Sequence, residues 1–231
     1  MRQICLIFIA TILFNCNSDS SEIQKKSIST LSTFKDSTSY SLGADLGDNL
    51  KRQNVEIDFD VFMAGLMDGM ETGMVKLDQK QRRTVMANLQ KHIRNKSKLE
   101  AEDNLKAAEK FLNENKTNQG IKETPSGLQY RVIKEGTGQS PIKDDKVKVH
   151  YVGKLLNGSE FDNSLERGEP TEFGLNQVIK GWTEGLQLMN PGAKYEFFIH
   201  PRMAYGARPR PQIPGNSLLI FEVELIEIIK K

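Results

Sequence analysis

Residues 178–206 of the chain read VIKGWTEGLQLMNPGAKYEFFIHPRMAYG and contain its only tryptophan, Trp182. Apolar and aromatic residues dominate this stretch, and few of its side chains can carry out acid–base chemistry. The indole can therefore be a buried structural anchor or the floor of an apolar binding pocket. Leu186 and Met189 follow Trp182 and Gly185 at helical spacing, which predicts one short helix here.

The sequence on both sides of this stretch predicts antiparallel strands. Apolar residues alternate with polar ones there, which is typical of strands with one buried face. The alternating sets are Leu128, Tyr130 and Val132; Val147, Val149 and Tyr151; and Phe221, Val223 and Leu225. Asn157-Gly158 is a dipeptide that type I′ hairpin turns prefer. We expect a curved antiparallel β-sheet wrapped on the single short helix.

The chain before this region differs in composition and is predicted to be helical. All 8 prolines lie at or beyond Pro125, and neither glycine nor proline occurs between Gly73 and Gly120. An apolar stripe at helical spacing consists of Phe59, Phe62, Met63, Leu66, Met67, Met70 and Met74. A promiscuous methionine-rich binding surface is one interpretation of this stripe, and a packed core or subunit interface is the commoner one. Because a small domain cannot cover the stripe alone, we expect a homodimer.

Residues 78–115 are predicted to form one long helix. Its apolar residues are sparse among lysine, glutamate and asparagine. We therefore expect solvent on nearly all sides and a length of about 55 Å, at about 1.5 Å per residue. A coiled coil is the alternative, but Lys96 and Glu102 stand where its seam needs apolar side chains. The predicted fold class is α+β, with an N-terminal helical dimerisation domain, a long connecting helix and the C-terminal sheet.

The first residues are typical of an export signal. Arg2 precedes an apolar run over residues 4–14, which is too short to span a bilayer as a helix but has the length of a signal-peptide core. The sequence Leu13-Phe14-Asn15-Cys16 resembles a lipobox, in which cleavage precedes a cysteine that is then acylated. Cys5 would leave with the signal, so Cys16 would have no disulfide partner. We expect a lipid anchor on Cys16, with a plain secretory signal or an uncleaved anchor as alternatives.

The overall composition argues against several classes of function. The 231 residues are 38% hydrophobic and 27% charged with a net charge of +2, as in ordinary soluble globular proteins. Basic residues are interspersed with acidic ones, so no nucleic-acid partner is expected. The 3 histidines and 2 cysteines are scattered without metal-ligand spacing. We expect neither a metal nor a cofactor.

Three segments carry a resemblance to a known family. They read VKVHYVGKLLNGSEFDNS, the stretch quoted at the outset, and IPGNSLLIFEVELIEI, in that order. Together they closely resemble the catalytic domain of FKBP-type peptidyl-prolyl cis-trans isomerases. SYSLGADLGDNL and FDVFMAGLMDGM resemble the N-terminal segments of the family's bacterial macrophage infectivity potentiator group. The implied divisions are a signal peptide (1–15), a tether (16–29), a dimerisation domain (30–75), the connecting helix (76–117) and the isomerase domain (118–231).

The resemblance also implies the residues of a binding pocket with Trp182 as its floor. Ile179 would contribute its backbone N–H and Tyr205 its hydroxyl to substrate carbonyls, and Asp162 would lie beside the twisting amide. The other substrate-binding residues implied are Tyr151, Phe161, Phe173, Val178, Ile213 and Phe221.

Four residues depart from the family's pattern at the edge of this pocket. Met203 stands where many members have an aromatic residue, and Thr171 replaces a frequent phenylalanine. The segment ARPRPQIP adds Arg208 and Arg210. Its prolines could form a ligand for polyproline-binding domains, but a stiff loop beside the pocket is the commoner arrangement. These changes leave the floor intact and affect the rim, and hence substrate preference and inhibitor affinity.

The function that the resemblance implies is prolyl isomerisation during the folding of exported or envelope proteins. The implied partners are proline-containing unfolded or exported proteins, macrolide inhibitors such as rapamycin, and the membrane through the lipid anchor. The implied location is the bacterial envelope, on the outer membrane. The alternative is an envelope chaperone or surface binding protein that uses the pocket and the dimer cleft without catalysis. A purely structural envelope protein fits an intact pocket poorly.

Overall fold

The computed structural model describes residues 30–71, 73 and 75–229, and two helices come first. These are α1 (Phe34–Arg52) and α2 (Phe59–Met70), and no residue of either helix is buried. Asp58 caps α2, because its carboxylate accepts hydrogen bonds from the backbone N–H groups of Asp60 at 3.0 Å and Val61 at 3.1 Å. Met74, the last member of the apolar stripe, lies outside the described residues, as do Cys16 and the signal sequence.

The chain divides between Gly47 and Asp48, inside α1, into two units. The long helix, the C-terminal sheet and the contacts between them all lie within the second unit. Among the residues that the structure describes, none of the helices has the length and apolar character needed to cross a membrane.

A single long helix, α3 (Gln79–Asn115), confirms the predicted one. A capping box sets its start: the Asp78 carboxylate accepts from the Gln81 N–H at 2.8 Å, and the Gln81 side chain accepts from the Asp78 N–H at 2.9 Å. The buried residues of α3 all lie in its C-terminal part, and they are Ala101, Ala108, Leu112 and Asn115. The expectation of solvent on nearly all sides is therefore wrong for this end of the helix.

The C-terminal part is one antiparallel sheet of 7 strands, with a short helix, α4 (Lys180–Leu186). The strands are β1 (Ile121–Glu123), β2 (Gln129–Lys134), β3 (Lys146–Leu155), β4 (Glu160–Asn163), β5 (Thr171–Gly174), β6 (Lys194–Ile199) and β7 (Leu219–Ile229). Their order across the sheet is β1-β2-β6-β7-β3-β4, and β5 pairs with β3 as well. The predicted α+β class, with a sheet packed on one short helix, is confirmed.

The main core lies between this sheet and α4. Alternate residues of β3 and β7 are buried in it, as the period of two predicts: Val147, Val149 and Tyr151, and Phe221, Val223 and Leu225. Trp182, Leu186 and Met189 cover them from the helix side. Gly185 allows α4 to lie close to β6, because a Cβ at this position would be 2.6 Å from the ring of Phe197.

The C-terminal end of α3 packs on the opposite face of the sheet. A second core cluster joins the two, and it consists of Ala108, Leu112, Phe198 and Leu218. The rings of Phe111 and Phe198 lie 5.7 Å apart. Asn115 Nδ2 donates to Gln129 Oε1 at 3.0 Å, and Gln129 Nε2 donates to the Leu112 carbonyl at 2.8 Å. These contacts make the last turns of α3 part of the C-terminal fold.

The hairpin turn between β3 and β4 is present, but its type differs from the prediction. A type I′ turn needs positive φ at both central residues. Gly158 has φ 84°, whereas the described non-glycine residues with positive φ are Asn54, Gln212 and Asn216, so Asn157 does not meet the requirement. The Asn157 side chain instead accepts a hydrogen bond from the Ser159 N–H at 3.0 Å, which stabilises the turn locally.

Candidate active site

A cavity of about 380 Å³ opens beside α4 and is walled by residues from four strands and two loops. Its lining consists of Tyr151, Phe161, Asp162, Phe173, Gln177, Val178, Ile179, Trp182, Tyr205 and Phe221. Of the pocket residues expected from the sequence, Ile213 is the exception: it is buried in the main core and does not line the cavity. Gln177 lines the cavity and was not expected, because a lone glutamine in a loop has no pattern that singles it out.

Trp182 is both a core anchor and part of the cavity wall. Only 4% of the residue is exposed. Its indole stands nearly perpendicular to three aromatic rings, with centroid distances of 5.1 Å to Tyr151, 5.4 Å to Phe173 and 5.2 Å to Phe221. Edge-to-face contacts of this kind fix the plane of the ring. The floor consists of aromatic rings and is apolar except for the indole N–H, which is buried and has no acceptor among the described residues.

The charged part of the wall is a compact network around Asp162. The Tyr151 hydroxyl donates to Asp162 Oδ2 at 2.5 Å, and Arg167 forms a salt bridge with the other carboxylate oxygen. Arg167 also donates to the Tyr151 hydroxyl at 3.0 Å, and its guanidinium lies 5.5 Å from the centroid of the tyrosine ring. Sequence reasoning missed Arg167, because an arginine in a loop after a short strand gives no local sign of its partner.

The pKa values of this network follow from its contacts. Partial burial alone would raise the pKa of Asp162, but the hydrogen bonds from Tyr151 and Arg167 outweigh it and leave that pKa below the ordinary value of 3.8. Burial, together with the bond to the carboxylate, raises the pKa of Tyr151 to about 12. At neutral pH the carboxylate is therefore ionised and the phenol is protonated.

Several hydrogen-bond donors of the wall have no partner among the described residues, and two of them, here called the two free donors, are those expected from the sequence. Ile179 is the N-cap residue of α4, with φ −61° and ψ 152°, and among the described residues its N–H donates to no acceptor. Tyr205 is 37% exposed, and its hydroxyl likewise forms no hydrogen bond within the described chain. Both donors are available to carbonyl groups of a bound molecule.

The residues that depart from the expected pattern lie outside the lining of the cavity. Met203 is buried in the core, with 6% exposure, and the Thr171 hydroxyl accepts a bond from Arg167 at 3.3 Å. Arg210 lies over the ring of Tyr205, with its guanidinium carbon 5.3 Å from the centroid. The rim therefore carries a positive charge next to one of the two free donors.

This arrangement suits binding and distortion better than bond cleavage. The lining side chains include no serine, cysteine or histidine that could act as a nucleophile or as its base. An apolar floor, two free donors and one neutralised carboxylate can enclose a small apolar ring and hold the carbonyls on either side of it.

Comparison with known proteins places this site in a family. The description FKBP-type peptidyl-prolyl cis-trans isomerase matches residues 138–226, and the domain amino-terminal to such isomerases matches residues 35–132. The outer membrane protein MIP of Legionella longbeachae is 43% identical over 87% of this chain and 88% of its own length. The FKBP-type 22 kDa isomerase of Escherichia coli is 40% identical over 87% of this chain and 98% of its own length.

Solved structures agree with the sequence matches. The crystal structure of FkpA from Escherichia coli has a TM-score of 0.64 and 34% sequence identity, and it covers 87% of this chain and 99% of its own. An isomerase structure from Pseudomonas syringae has a TM-score of 0.53 over 56% of this chain. The apolar cavity, its free donors and these matches together identify the chain as a member of the FKBP-type peptidyl-prolyl cis-trans isomerases, enzymes that catalyse rotation about Xaa-Pro bonds.

Proposed function

We propose that this cavity is the place where the Xaa-Pro bond rotates. The supporting observation is the composition of the wall, which has Trp182 as its floor and Asp162 as its one ionised side chain. The proline ring of the substrate would lie against the indole. The Ile179 N–H and the Tyr205 hydroxyl would then donate to the substrate carbonyls.

Prolyl isomerisation breaks no bond, so the absence of a nucleophile is consistent with it. The barrier of about 18–20 kcal/mol arises from the partial double bond of the amide, and the uncatalysed step takes tens to hundreds of seconds. Water stabilises the charge separation of the planar amide. An apolar cavity removes that solvation, while fixed donors hold the substrate as it twists.

Asp162 would contribute as part of an ion pair and not as a bare charge. Arg167 neutralises it, and the Tyr151 hydroxyl fixes one of its oxygens at 2.5 Å. A dipole held in this way needs no reorganisation when the amide twists, which is the condition for electrostatic stabilisation of a transition state.

Isomerase activity on short Xaa-Pro peptides tests the site, and refolding of a proline-limited protein tests its use. We expect the mature chain to accelerate both reactions. An envelope chaperone that works without catalysis, the alternative, would reduce aggregation but leave the slow refolding phase unchanged.

We further propose that the protein is an exported homodimer of the cell envelope, anchored through acylated Cys16. The name of the Legionella longbeachae relative, an outer membrane protein, supports the location. Expression in a bacterial host should give a membrane-bound protein that labels with palmitate, because two or more acyl chains anchor stably. Labelled protein in the membrane fraction of a Cys16→Ser variant would contradict the anchor.

A macrolide should compete with peptides for the proposed pocket. Rapamycin bound on the floor would change the environment of the only tryptophan of the chain. We expect the emission of Trp182 to shift or be quenched as rapamycin inhibits the peptide reaction. Inhibition without any change in emission would place the inhibitor elsewhere.

A further inference from the structure

Residues 204–216, here called the rim loop, carry Tyr205 on the cavity wall, and the two ends of the loop lie side by side. The Asn216 N–H donates to the Gly206 carbonyl at 2.7 Å. Gly206 directly follows Tyr205 in the chain. The conformation at Asn216 is therefore transmitted to Tyr205 through a single backbone hydrogen bond.

The base of the rim loop is bound to α3. Asn104 Nδ2 donates to the Gly215 carbonyl at 3.1 Å, and Asn216 Nδ2 donates to the Ala101 carbonyl at 3.1 Å. Ala101, the first buried residue of α3, is 7% exposed. One turn of the long helix thus makes two partly buried hydrogen bonds to the loop.

The backbone conformation at both ends of the rim loop is also restricted. Asn216 has φ 55° and Gly206 has φ 59°, in the left-handed region that costs energy for most residues other than glycine. A Cβ at Gly215 would be 2.6 Å from the Ala207 carbonyl oxygen and 3.1 Å from the Ala101 Cβ. The loop is therefore held in an unusual conformation that leaves no space for a Cβ at Gly215.

We infer that Asn104 and Asn216 are positioning residues, through which α3 sets the conformation of the rim loop and places Tyr205 at the substrate. The inference rests on the proposed role of Tyr205. Without either side chain, the loop populates conformations in which the Tyr205 hydroxyl does not reach the substrate. The apparent affinity for the substrate is then multiplied by the fraction of molecules whose rim loop remains competent.

The test compares Asn104→Ala and Asn216→Gly with Asn115→Ala in the full mature chain. Glycine accepts the φ of Asn216, so the second variant removes the side-chain bond without adding backbone strain. Asn115→Ala is the matched control, because it removes a bond between α3 and the sheet away from the rim. We expect the two rim variants to raise KM by about three- to tenfold, the range that corresponds to one neutral hydrogen bond. The control should lower stability and leave KM unchanged.

A double-mutant cycle with Tyr205→Phe separates positioning from general stability. If Asn216 acts through the Tyr205 hydroxyl, the effects of Asn216→Gly and Tyr205→Phe on kcat/KM are less than additive. Additive effects, or an equal rise of KM in Asn115→Ala, would overturn the positioning role alone. Wild-type activity in Tyr205→Phe would instead overturn the proposed function of the site.

Arg210 supports a second, independent inference about substrate choice. Its guanidinium lies on the ring of Tyr205, and its backbone is paired in both directions with Ile213, at 2.8 and 3.0 Å. Within the described part of the chain neither Arg208 nor Arg210 forms a salt bridge, whereas Arg167 is paired with Asp162. A positive charge that no carboxylate of the described chain neutralises thus lies against Tyr205, a residue of the cavity wall.

We propose that Arg210 is a specificity-determining residue that favours substrates with an acidic residue next to the proline. Peptides with glutamate, glutamine or lysine immediately before or after proline test this preference. Glutamate peptides should exceed glutamine peptides in kcat/KM by about two- to fivefold at low salt, the range for an exposed ion pair. The difference should disappear in about 1 M salt, where the Debye length is about 3 Å.

The arginine variants identify the residue responsible. Arg210→Gln should abolish the preference for glutamate, and Arg208→Gln, which removes a rim charge without a ring contact, should retain it. Equal losses in both variants, or a preference that persists in high salt, would contradict the role of Arg210. Failure of the wild-type enzyme on every peptide would contradict the proposed site itself.

Discussion

Asp162 occupies the cavity wall as one member of a three-residue network, and this determines what its substitution does. Asp162→Ala leaves the Tyr151 hydroxyl and the Arg167 guanidinium without their shared acceptor. A charge-assisted contact is worth about 1.5–3 kcal/mol and a neutral one about 0.5–1.5 kcal/mol. At about 1.4 kcal/mol per tenfold, we expect kcat/KM to fall about ten- to a hundredfold.

Tyr205→Phe removes a single neutral donor, so the expected loss is smaller, up to about tenfold. Peptide kinetics measure both variants, and Asp162→Asn, which keeps the size and one acceptor oxygen, is the control for packing. Wild-type activity in Asp162→Ala would mean that the reaction takes place elsewhere.

Trp182→Leu is a better probe of the cavity floor than Trp182→Ala. Truncating a buried aromatic side chain to alanine can cost about 3–5 kcal/mol of stability. Leucine retains much of the apolar volume. If the activity of Trp182→Leu falls while its unfolding midpoint changes little, the indole contributes to substrate binding as well as to the core.

His200 makes stability depend on pH near neutrality. Burial, and then the neighbouring Arg202, lower the pKa of His200 below its ordinary value of 6.5. Its Nδ1 accepts the Arg202 N–H at 3.1 Å, a bond that the protonated ring cannot accept. The unfolded chain binds this proton more readily, so the stabilisation is complete above about pH 6.5 and is lost as the pH falls through the folded pKa.

Urea denaturation at pH 7.5 and 5.5 should therefore show lower stability at the lower pH. His200→Gln keeps an acceptor for the Arg202 N–H and removes the titrating group. The variant should lose most of this pH dependence. An unchanged difference between the two pH values would assign the effect to another group.

At the scale of elements, the docked end of α3 determines where the catalytic fold begins. A chain that starts at Gly120 exposes Phe198 and Leu218, which are 6% and 1% exposed in the full chain. It also removes both α3 partners of Gln129. Burial of an apolar side chain contributes about 1.5–3 kcal/mol, so we expect the free energy of unfolding to fall by about 2–5 kcal/mol.

A chain that starts at Asp78 keeps the whole of α3 and is the control. Urea denaturation of the two fragments measures the difference. Equal midpoints would mean that the end of α3 rests on the sheet without stabilising it. The earlier expectation that the isomerase part begins at residue 118 would then be the better description.

At the scale of the whole molecule, α2 has a large apolar face that no other described residue of the chain covers. Phe59, Met63, Met67 and Met70 are 57, 50, 54 and 78% exposed. Contiguous apolar surface of this kind marks an interface. We expect light scattering to give the mass of a dimer, and Met63→Glu with Met67→Glu to give a monomer.

Val61→Glu is the matched control for this prediction, because Val61 is 68% exposed and lies on the opposite side of α2 from Met70. The monomer should keep its activity on short peptides and lose efficiency on whole unfolded proteins, since it no longer captures them at two sites. A monomeric wild-type chain, or equal dissociation by Val61→Glu, would contradict an interface on this face.

Periodicity along the chain by itself determined the helices, most strands and the class of fold. A side chain's position on a helix or strand repeats every 3.6 or 2 residues, so the buried face of each element can be read locally. The spacing of apolar residues around Trp182 likewise predicts the short helix. The family resemblance of this stretch and its neighbours predicts nearly all residues that line the cavity. Gln177 lines the cavity without being predicted, and Ile213 is predicted but does not line it, because the facing of a loop residue is not periodic.

Only the tertiary structure decided the contacts that join distant parts of the chain. Arg167 meets the Tyr151 hydroxyl across 16 positions of sequence, and Asn104 meets Gly215 across 111. The sparse apolar residues of α3 predict a helix exposed to solvent, because a narrow apolar stripe does not show whether another surface covers it. Whether a surface is covered depends on the arrangement of all the elements in space, and pattern within one element carries no information about that arrangement.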